Sequence, residues 1–280
     1  MFRSLLYVPV TEQRFIDKLT SVRVDGVILD LEDSIAMHRK EQARSQLAES
    51  VRQVRSFEHK VLVRVNHQPG LLMPDIMAAW EAGVDTMVIP KVRDTDVLDA
   101  LSRHLAQLPS VPGVSRPRFF VLIEDAVGLL NAQKIAFHPD VFGVSLGTED
   151  FATSIDARPT PEVIRIPKLM VHYAAKAAGK LSLGLLRSVA DYRDTEAMEA
   201  SIREAAEFGF DGASCIHPSV VGLLNAGFSA TPQALDKATR LLEAAQTAHK
   251  QGLGAFTFEG EFVDEPIIER ARRLIERNQS

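Results

Sequence analysis

The chain has 280 residues, 46% of them hydrophobic and 25% charged, enough for one large α/β domain or two small ones. A net charge of −5 with interspersed signs argues against a nucleic-acid surface, and no apolar run approaches the length of a membrane span. Cys215 is the single cysteine, which rules out an intrachain disulfide framework and fits a reducing cytoplasm.

The opening Arg3-Ser4-Leu5-Leu6-Tyr7-Val8-Pro9 passes straight into a strand-like run without a secretion-signal layout, so a cytoplasmic location is expected. From there short apolar runs alternate with helical patterns. The run 5–8 is followed by a helix over 12–19, announced by Thr11, and 26–29 by a helix over 40–54. The run 60–65 precedes a helix over 75–82 closed by Gly83, and 86–89 precedes a helix over 94–108. Residues 119–123 lead to a helix over 126–135. Residues 142–146 lead to one over 162–178, opened by Thr160-Pro161 and closed by Gly179. The run 181–186 precedes a helix over 195–208 between Asp194 and Gly209, and 212–216 is the last run.

Continuous rather than alternating apolarity is what strands covered on both faces show. Strand–helix alternation of this kind predicts an α/β fold, a (β/α)8 TIM barrel over residues 1–228. An open doubly wound sheet is the runner-up, but no Gly-x-Gly-x-x-Gly follows any run. After Phe228 the pattern changes to an Ala-rich helix over 232–251, a turn with aromatics over 252–260 and a charged helix over 266–277. Residues 229–280 therefore read as a C-terminal helical extension that packs on the barrel or on a neighbouring subunit.

In such a barrel the chemistry sits where strands end, and every run but the first, which ends at Pro9, closes on or near an ionisable residue. The second closes on Asp30-Leu31-Glu32-Asp33, the third on Arg64, the fourth on Lys91, the fifth on Glu124 and the sixth on Glu149-Asp150. A carboxylate at the mouth of a buried strand either takes up a proton or finds a cation. Glu124 and Asp150, on consecutive strands, are the expected ligands of a divalent metal, and an oxygen-only site suits Mg²⁺. The plain alternative is that each caps the helix that follows it. Arg64 is expected to clamp a substrate carboxylate, with Asp30, Glu32 and Asp33 orienting it or holding water on the metal. Lys91 could form a Schiff base, but an ion pair with a local acid is the favoured reading. His217 reads as a turn residue before Pro218, and Cys215 as core.

The segments 3–9, Val27-Ile28-Leu29-Asp30-Leu31-Glu32-Asp33, Val63-Arg64-Val65-Asn66, Ile89-Pro90-Lys91-Val92, Ile123-Glu124, Gly147-Thr148-Glu149-Asp150-Phe151 and Ile216-His217-Pro218 occur in order along nearly the whole chain. Together they resemble the citrate lyase beta-subunit-like (CitE-like) family of the HpcH/HpaI aldolase superfamily. The resemblance implies a barrel with a C-terminal extension, usually trimeric, with Mg²⁺ on Glu124 and Asp150 and a substrate carboxylate on Arg64. It also implies carbon–carbon cleavage or formation beside a thioester or keto-acid carbonyl, through an enolate, on a small carboxylic acid or on an acyl thioester of coenzyme A or an acyl carrier protein. Asp264, in Phe262-Val263-Asp264-Glu265-Pro266, matches an acid/base residue that reaches a neighbouring subunit's site.

This chain departs from the family pattern in several places. Asp211-Gly212-Ala213-Ser214-Cys215 lacks the usual Lys before Ile-His-Pro, Asp125 stands where many relatives have Thr, and Leu183-Gly184-Leu185 replaces a common Ile-Asp pair. Glu259-Gly260-Glu261 replaces the usual Gly-Gly before the C-terminal Asp. These changes bear on a thioester handle more than on the metal. The first expectation is a Mg²⁺-dependent lyase on a β-hydroxyacyl thioester such as citryl- or malyl-CoA. An aldolase on a free keto or hydroxy acid, or a thioester hydrolase, is the second. A non-catalytic or complex-dependent citrate lyase subunit is the third.

Overall fold

The computed structural model of the chain describes residues 2–108, 116–188 and 192–279. The chain divides into two compact units, Phe2–Ala226 and a second that begins at Gly227.

The first unit carries eight strands: β1 (Ser4–Pro9), β2 (Gly26–Asp30), β3 (Lys60–Arg64), β4 (Thr86–Ile89), β5 (Arg118–Ile123), β6 (Val141–Leu146), β7 (Leu181–Ser182) and β8 (Ala213–Cys215). They form one parallel sheet in the order β7-β6-β5-β4-β3-β2-β1-β8. The sheet is curled. An isolated parallel bridge joins Leu183, just after β7, to Gly212, just before β8, and the Gly184 N–H donates to the Gly212 carbonyl at 2.9 Å. The run 181–186, expected as a full strand, pairs as a strand over two residues before it turns away.

Between the strands lie α1 (Gln13–Lys18), α2 (Lys40–Ser56), α3 (Leu72–Glu81), α4 (Asp96–Leu105), α5 (Ala126–Leu130), α6 (Ala132–Ala136), α7 (Thr148–Ser154), α8 (Pro161–Ala177) and α9 (Thr195–Phe208), with α10 (Val221–Gly227) after β8. The helix expected over 126–135 is split at Asn131, which serves as the end of α5 and the start of α6. The Asp194 side chain caps α9, accepting from the Ala197 N–H at 3.0 Å, and Gly209 closes the helix at φ 89°, a conformation that suits glycine.

Both faces of the sheet are buried, which explains the unbroken apolar runs. One face packs Leu5, Ile28, Leu62, Val88, Phe120, Leu122 and Leu183 into a single cluster. Gly143 makes room there, since a Cβ would press on the Phe120 ring. The other face, including Leu29, Val63, Met87 and Val121, is covered as completely.

In the second unit, α11 (Pro232–Lys250) and α12 (Glu265–Gln279) flank an antiparallel pair, β9 (Phe256–Phe258) and β10 (Glu261–Val263). The aromatic turn expected over 252–260 is in fact the first half of this hairpin, whose bend is made by Glu259 and Gly260 at positive φ. Ala238, Leu241, Ala245, Val263, Ile268 and Ala271 form its core. Among the described residues no helix is long and apolar enough to cross a membrane.

Candidate active site

Side chains alternate along a strand, so a residue two places beyond a core position points the same way, one layer higher. Tyr7 follows Leu5, Asp30 follows Ile28, Arg64 follows Leu62, and Glu124 follows Phe120 and Leu122. The apolar cluster is thus topped by a polar layer at the C-terminal ends of the strands. That layer floors a cavity of about 650 Å³ lined by Tyr7, Asp30, Arg64, Glu124, Asp150 and Lys168 among others.

Asp30 and Arg64 are register partners of β2 and β3. The guanidinium grips Asp30 through two bonds, Nε to Oδ1 at 2.7 Å and Nη2 to Oδ2 at 2.8 Å. Its Nη1 donates to Asp33 Oδ2 at 3.1 Å and lies 3.1 Å from Glu32 Oε2. Burial works against this charge, but the hydrogen bonds and charge of Asp30 outweigh it and hold the Arg64 pKa above its ordinary value. The Tyr7 ring lies 4.8 Å from the guanidinium carbon, a cation–π contact. Of five N–H donors, three are used in hydrogen bonds to Asp30 and Asp33, and the other two make no hydrogen bond among the described residues. Asp30 and Asp33 therefore fix the orientation of the guanidinium. Lys40 Nζ fixes their loop by donating to the carbonyls of Leu31 and Glu32 at 2.8 and 2.6 Å. Burial pushes the Glu32 carboxyl up to about 8, with Arg64 opposing and Asp33 and Glu124 adding to the rise.

Glu124 is 6% exposed. Its Oε2 accepts the Lys91 backbone N–H at 2.8 Å. Lys91 holds that N–H in place at φ 55°, a left-handed conformation that costs a non-glycine residue about 1–3 kcal/mol. The other oxygen lies against Gly147, where any side chain would overlap the carboxylate. Burial first, and Asp150 second, push the Glu124 carboxyl up to about 7. A buried carboxyl and a second acid lining one cavity are a fitting receptor for a divalent cation. Among the described residues no group of three or more His, Cys, Asp or Glu is placed to hold a metal, so water and ligand would complete the shell around these two.

Neither carboxylate caps a helix. Asp125 caps α5, accepting from the Gly128 N–H at 2.8 Å, and it pairs with Arg93. Gly147 opens α7, leaving Asp150 in its first turn. Lys91 Nζ lies 3.3 Å from Asp150 and 4.0 Å from Glu32. Burial lowers its pKa, yet the two acids reverse the balance and leave it raised. An ammonium held in that way is a poor nucleophile, in agreement with the ion-pair reading. His217 accepts the Ser219 N–H at 3.2 Å and stacks on Tyr192 at 4.7 Å, as a turn residue should. Cys215 is buried, and burial pushes its thiol up to about 12. Asp264 lies in the second unit, where its carbonyl accepts the Ile267 and Ile268 N–H groups at 3.1 Å at the head of α12.

Lys168 lines the cavity and went unnoticed in the strand-end reading. It sits in the buried stripe Ile164, Lys168, Val171, Ala175 of α8, a helical spacing that marks it as inward-facing. Burial pulls its amine down to about 7, with Glu149 pushing the other way. The unfolded chain keeps this proton up to its ordinary pKa of 10.5, whereas the folded chain releases it above about 7. The unfolded state then binds more protons, so the fold gains stability as pH rises from 7. Lys168→Met should abolish that gain. Denaturant midpoints at pH 6.5 and 9 should converge in the variant relative to wild type, and an unchanged difference would refute a buried neutral amine.

A family model described as HpcH/HpaI aldolase/citrate lyase matches residues 3–218. Citrate lyase subunit beta of Haemophilus influenzae is 31% identical, over 99% of this chain and 97% of that protein. The (3S)-malyl-CoA thioesterase of Cereibacter sphaeroides is 31% identical, over 98% and 93% respectively. Among solved structures, the protein CitE from Mycobacterium tuberculosis, in complex with magnesium, acetoacetate and coenzyme A, matches with a TM-score of 0.77 at 27% identity, over 99% of this chain and 98% of that one.

Proposed function

The chain belongs to the HpcH/HpaI aldolase/citrate lyase family, and we propose that it is a Mg²⁺-dependent carbon–carbon lyase of the citrate lyase beta-subunit type, cleaving or forming a β-hydroxyacyl thioester. The observation that carries this reading is the pairing of Glu124 and Asp150 at the exits of β5 and β6, beside an Arg64 held rigid by Asp30. On this reading the curled sheet is a closed (β/α)8 barrel. Residues 229–280 are its extension onto a neighbouring subunit of a homotrimer in the cytoplasm.

Glu124 and Asp150 would hold the metal, which when bound polarises substrate oxygens as a Lewis acid. The Arg64 N–H groups not taken by Asp30 and Asp33 grip the substrate carboxylate and fix the reacting carbon over the cavity floor. In the cleavage direction a base takes the β-hydroxyl proton and the carbon–carbon bond breaks toward the thioester α-carbon. An acid then returns a proton to that carbon. Asp264, supplied by a neighbouring subunit, is the candidate for proton transfer. Lys91 stays an ammonium and contributes charge alone. The handle is coenzyme A or an acyl carrier protein.

Calorimetry with Mg²⁺ against pyruvate, oxaloacetate, glyoxylate and acyl-CoA thioesters tests the binding half of this reading. Product analysis with malyl- and citryl-CoA tests the chemistry. A lyase yields an acyl-CoA and a keto acid. Similarity at the same 31% to a malyl-CoA thioesterase supports a second reading, hydrolysis, which yields free coenzyme A and a hydroxy acid. Free thiol without keto acid replaces the first reading by the second.

Asp264→Asn should lower turnover by roughly 10²–10⁴-fold while leaving Mg²⁺ affinity unchanged. Mixing that variant with Glu124→Ala chains should restore part of the activity, because a mixed oligomer can assemble an intact site from one chain of each kind. Absence of recovery on mixing removes Asp264 from its neighbour's site.

A further inference from the structure

Lys168 takes no part in the chemistry above, yet its placement is costly. The residue is 4% exposed, and lysines are seldom so deeply buried without a partner acid. Of its three N–H donors, one reaches the Arg187 carbonyl at 3.3 Å. Glu149, the charged group that acts on it, is hydrogen-bonded by Ser188 instead.

A second donor shares the wall. Ser145, near the end of β6, is 91% buried, and its hydroxyl makes no hydrogen bond among the described residues. Lys168, Ser145 and Gly184 all line the main cavity. Gly184 presents no side chain there, where a Cβ would stand 3.9 Å from the Ser145 hydroxyl and 3.4 Å from the Phe210 ring. An amine and a hydroxyl that line one cavity, with no acid within ion-pairing distance of the amine among the described residues, are complementary to an anionic oxygen group. Burying an unpaired donor penalises the fold unless a ligand completes it.

We propose that Lys168 and Ser145 form a subsite for a second carboxylate on the substrate, so that the keto acid formed or consumed is a dicarboxylic one. This deepens the proposed function and rests on it: Arg64 takes the carboxylate beside the reacting carbonyl, and Lys168 takes the distal one. Binding of that carboxylate draws a proton onto the amine, since the ion pair favours the ammonium form.

The test is calorimetry on the full chain with Mg²⁺, comparing oxaloacetate with pyruvate, which lacks the distal carboxylate. Wild type should bind oxaloacetate at least about tenfold more tightly, the scale of one well-placed buried charge pair. Lys168→Met should erase that gap and leave pyruvate affinity unchanged, and Ser145→Ala should narrow it. Heats measured near pH 7.5 in buffers of different ionisation enthalpy should show proton uptake with oxaloacetate that Lys168→Met loses. The methionine variant exchanges a buried amine for an apolar side chain of similar length, so its melting transition should be at least as high as that of wild type. A gap that survives in Lys168→Met, equal weakening of both acids, or wild-type affinities that do not differ would overturn the subsite. If wild type binds neither acid, the proposed function fails and the subsite falls with it.

Discussion

Glu124→Gln should abolish Mg²⁺ binding and lower turnover by about 10³-fold or more, the scale seen when electrostatic stabilisation of developing charge is lost. The amide keeps the size of the side chain, and its oxygen can still accept the Lys91 N–H that now reaches Oε2 at 2.8 Å. What it removes is the charge. That charge is expensive, because burial and Asp150 push the carboxyl up to about 7 from its ordinary 4.5. A carboxyl raised in the folded state weakens the fold as pH climbs from 4.5 toward 7, since the unfolded chain ionises first. At pH 8 without metal, Glu124→Gln should therefore be more stable than wild type, by up to about 2–3 kcal/mol. Stability that rises while function vanishes is the signature of a residue kept for its ligand. Calorimetric titration of Mg²⁺ and denaturant unfolding check the two halves. Retained turnover with unchanged metal affinity would sink the metal assignment.

Arg64→Met should have an equally large effect of the opposite kind. Asp30 and Glu32 are 1% and 2% exposed, and Arg64 is the cation that meets both. Removing one partner of a buried pair strands the other, at a cost of about 3–5 kcal/mol. The Asp30 carboxyl, held below its ordinary range by Arg64 against the pull of burial, should rise once the guanidinium is gone. Keto-acid affinity should fall with it. Arg64→Lys keeps the charge but has no planar fork to match Asp30, so it should recover part of the stability and little of the binding. Unfolding and binding isotherms on the two variants decide the matter. An Arg64→Met protein as stable as wild type would mean that the Asp30 pair contributes nothing to the fold.

Much of this site is legible residue by residue. Glu124, Asp150 and Arg64 stand out because a charge at the end of an apolar run has no ordinary reason to be there. Lys91 is legible to the extent that its partners are acids. Its φ of 55°, which aims the backbone N–H at Glu124, leaves no mark in the sequence. Lys168 is the instructive omission. A search confined to strand ends passes over it, although the helical stripe at 164, 168, 171 and 175 marks it as buried. The roles of Asp125 and Gly147 as caps are likewise decided by local backbone geometry, and both displace the acids that helix-cap reasoning would have chosen.

The sequence by itself determined the order of strands and helices, because both follow from local periodicity and from start and stop residues. It also determined that charged groups gather at strand exits, because side-chain alternation along a buried strand is a local property. The tertiary structure decided which acid meets which neighbour. Parallel register sets Asp30 directly beside Arg64, so that pair neutralises itself. Glu124, on β5 and two strands from Arg64, has Asp150 acting on it instead, and burial with that charge pushes its carboxyl up to about 7. Charge balance in a buried layer depends on which strands are neighbours and how far each reaches, and neither quantity exists until the sheet has curled.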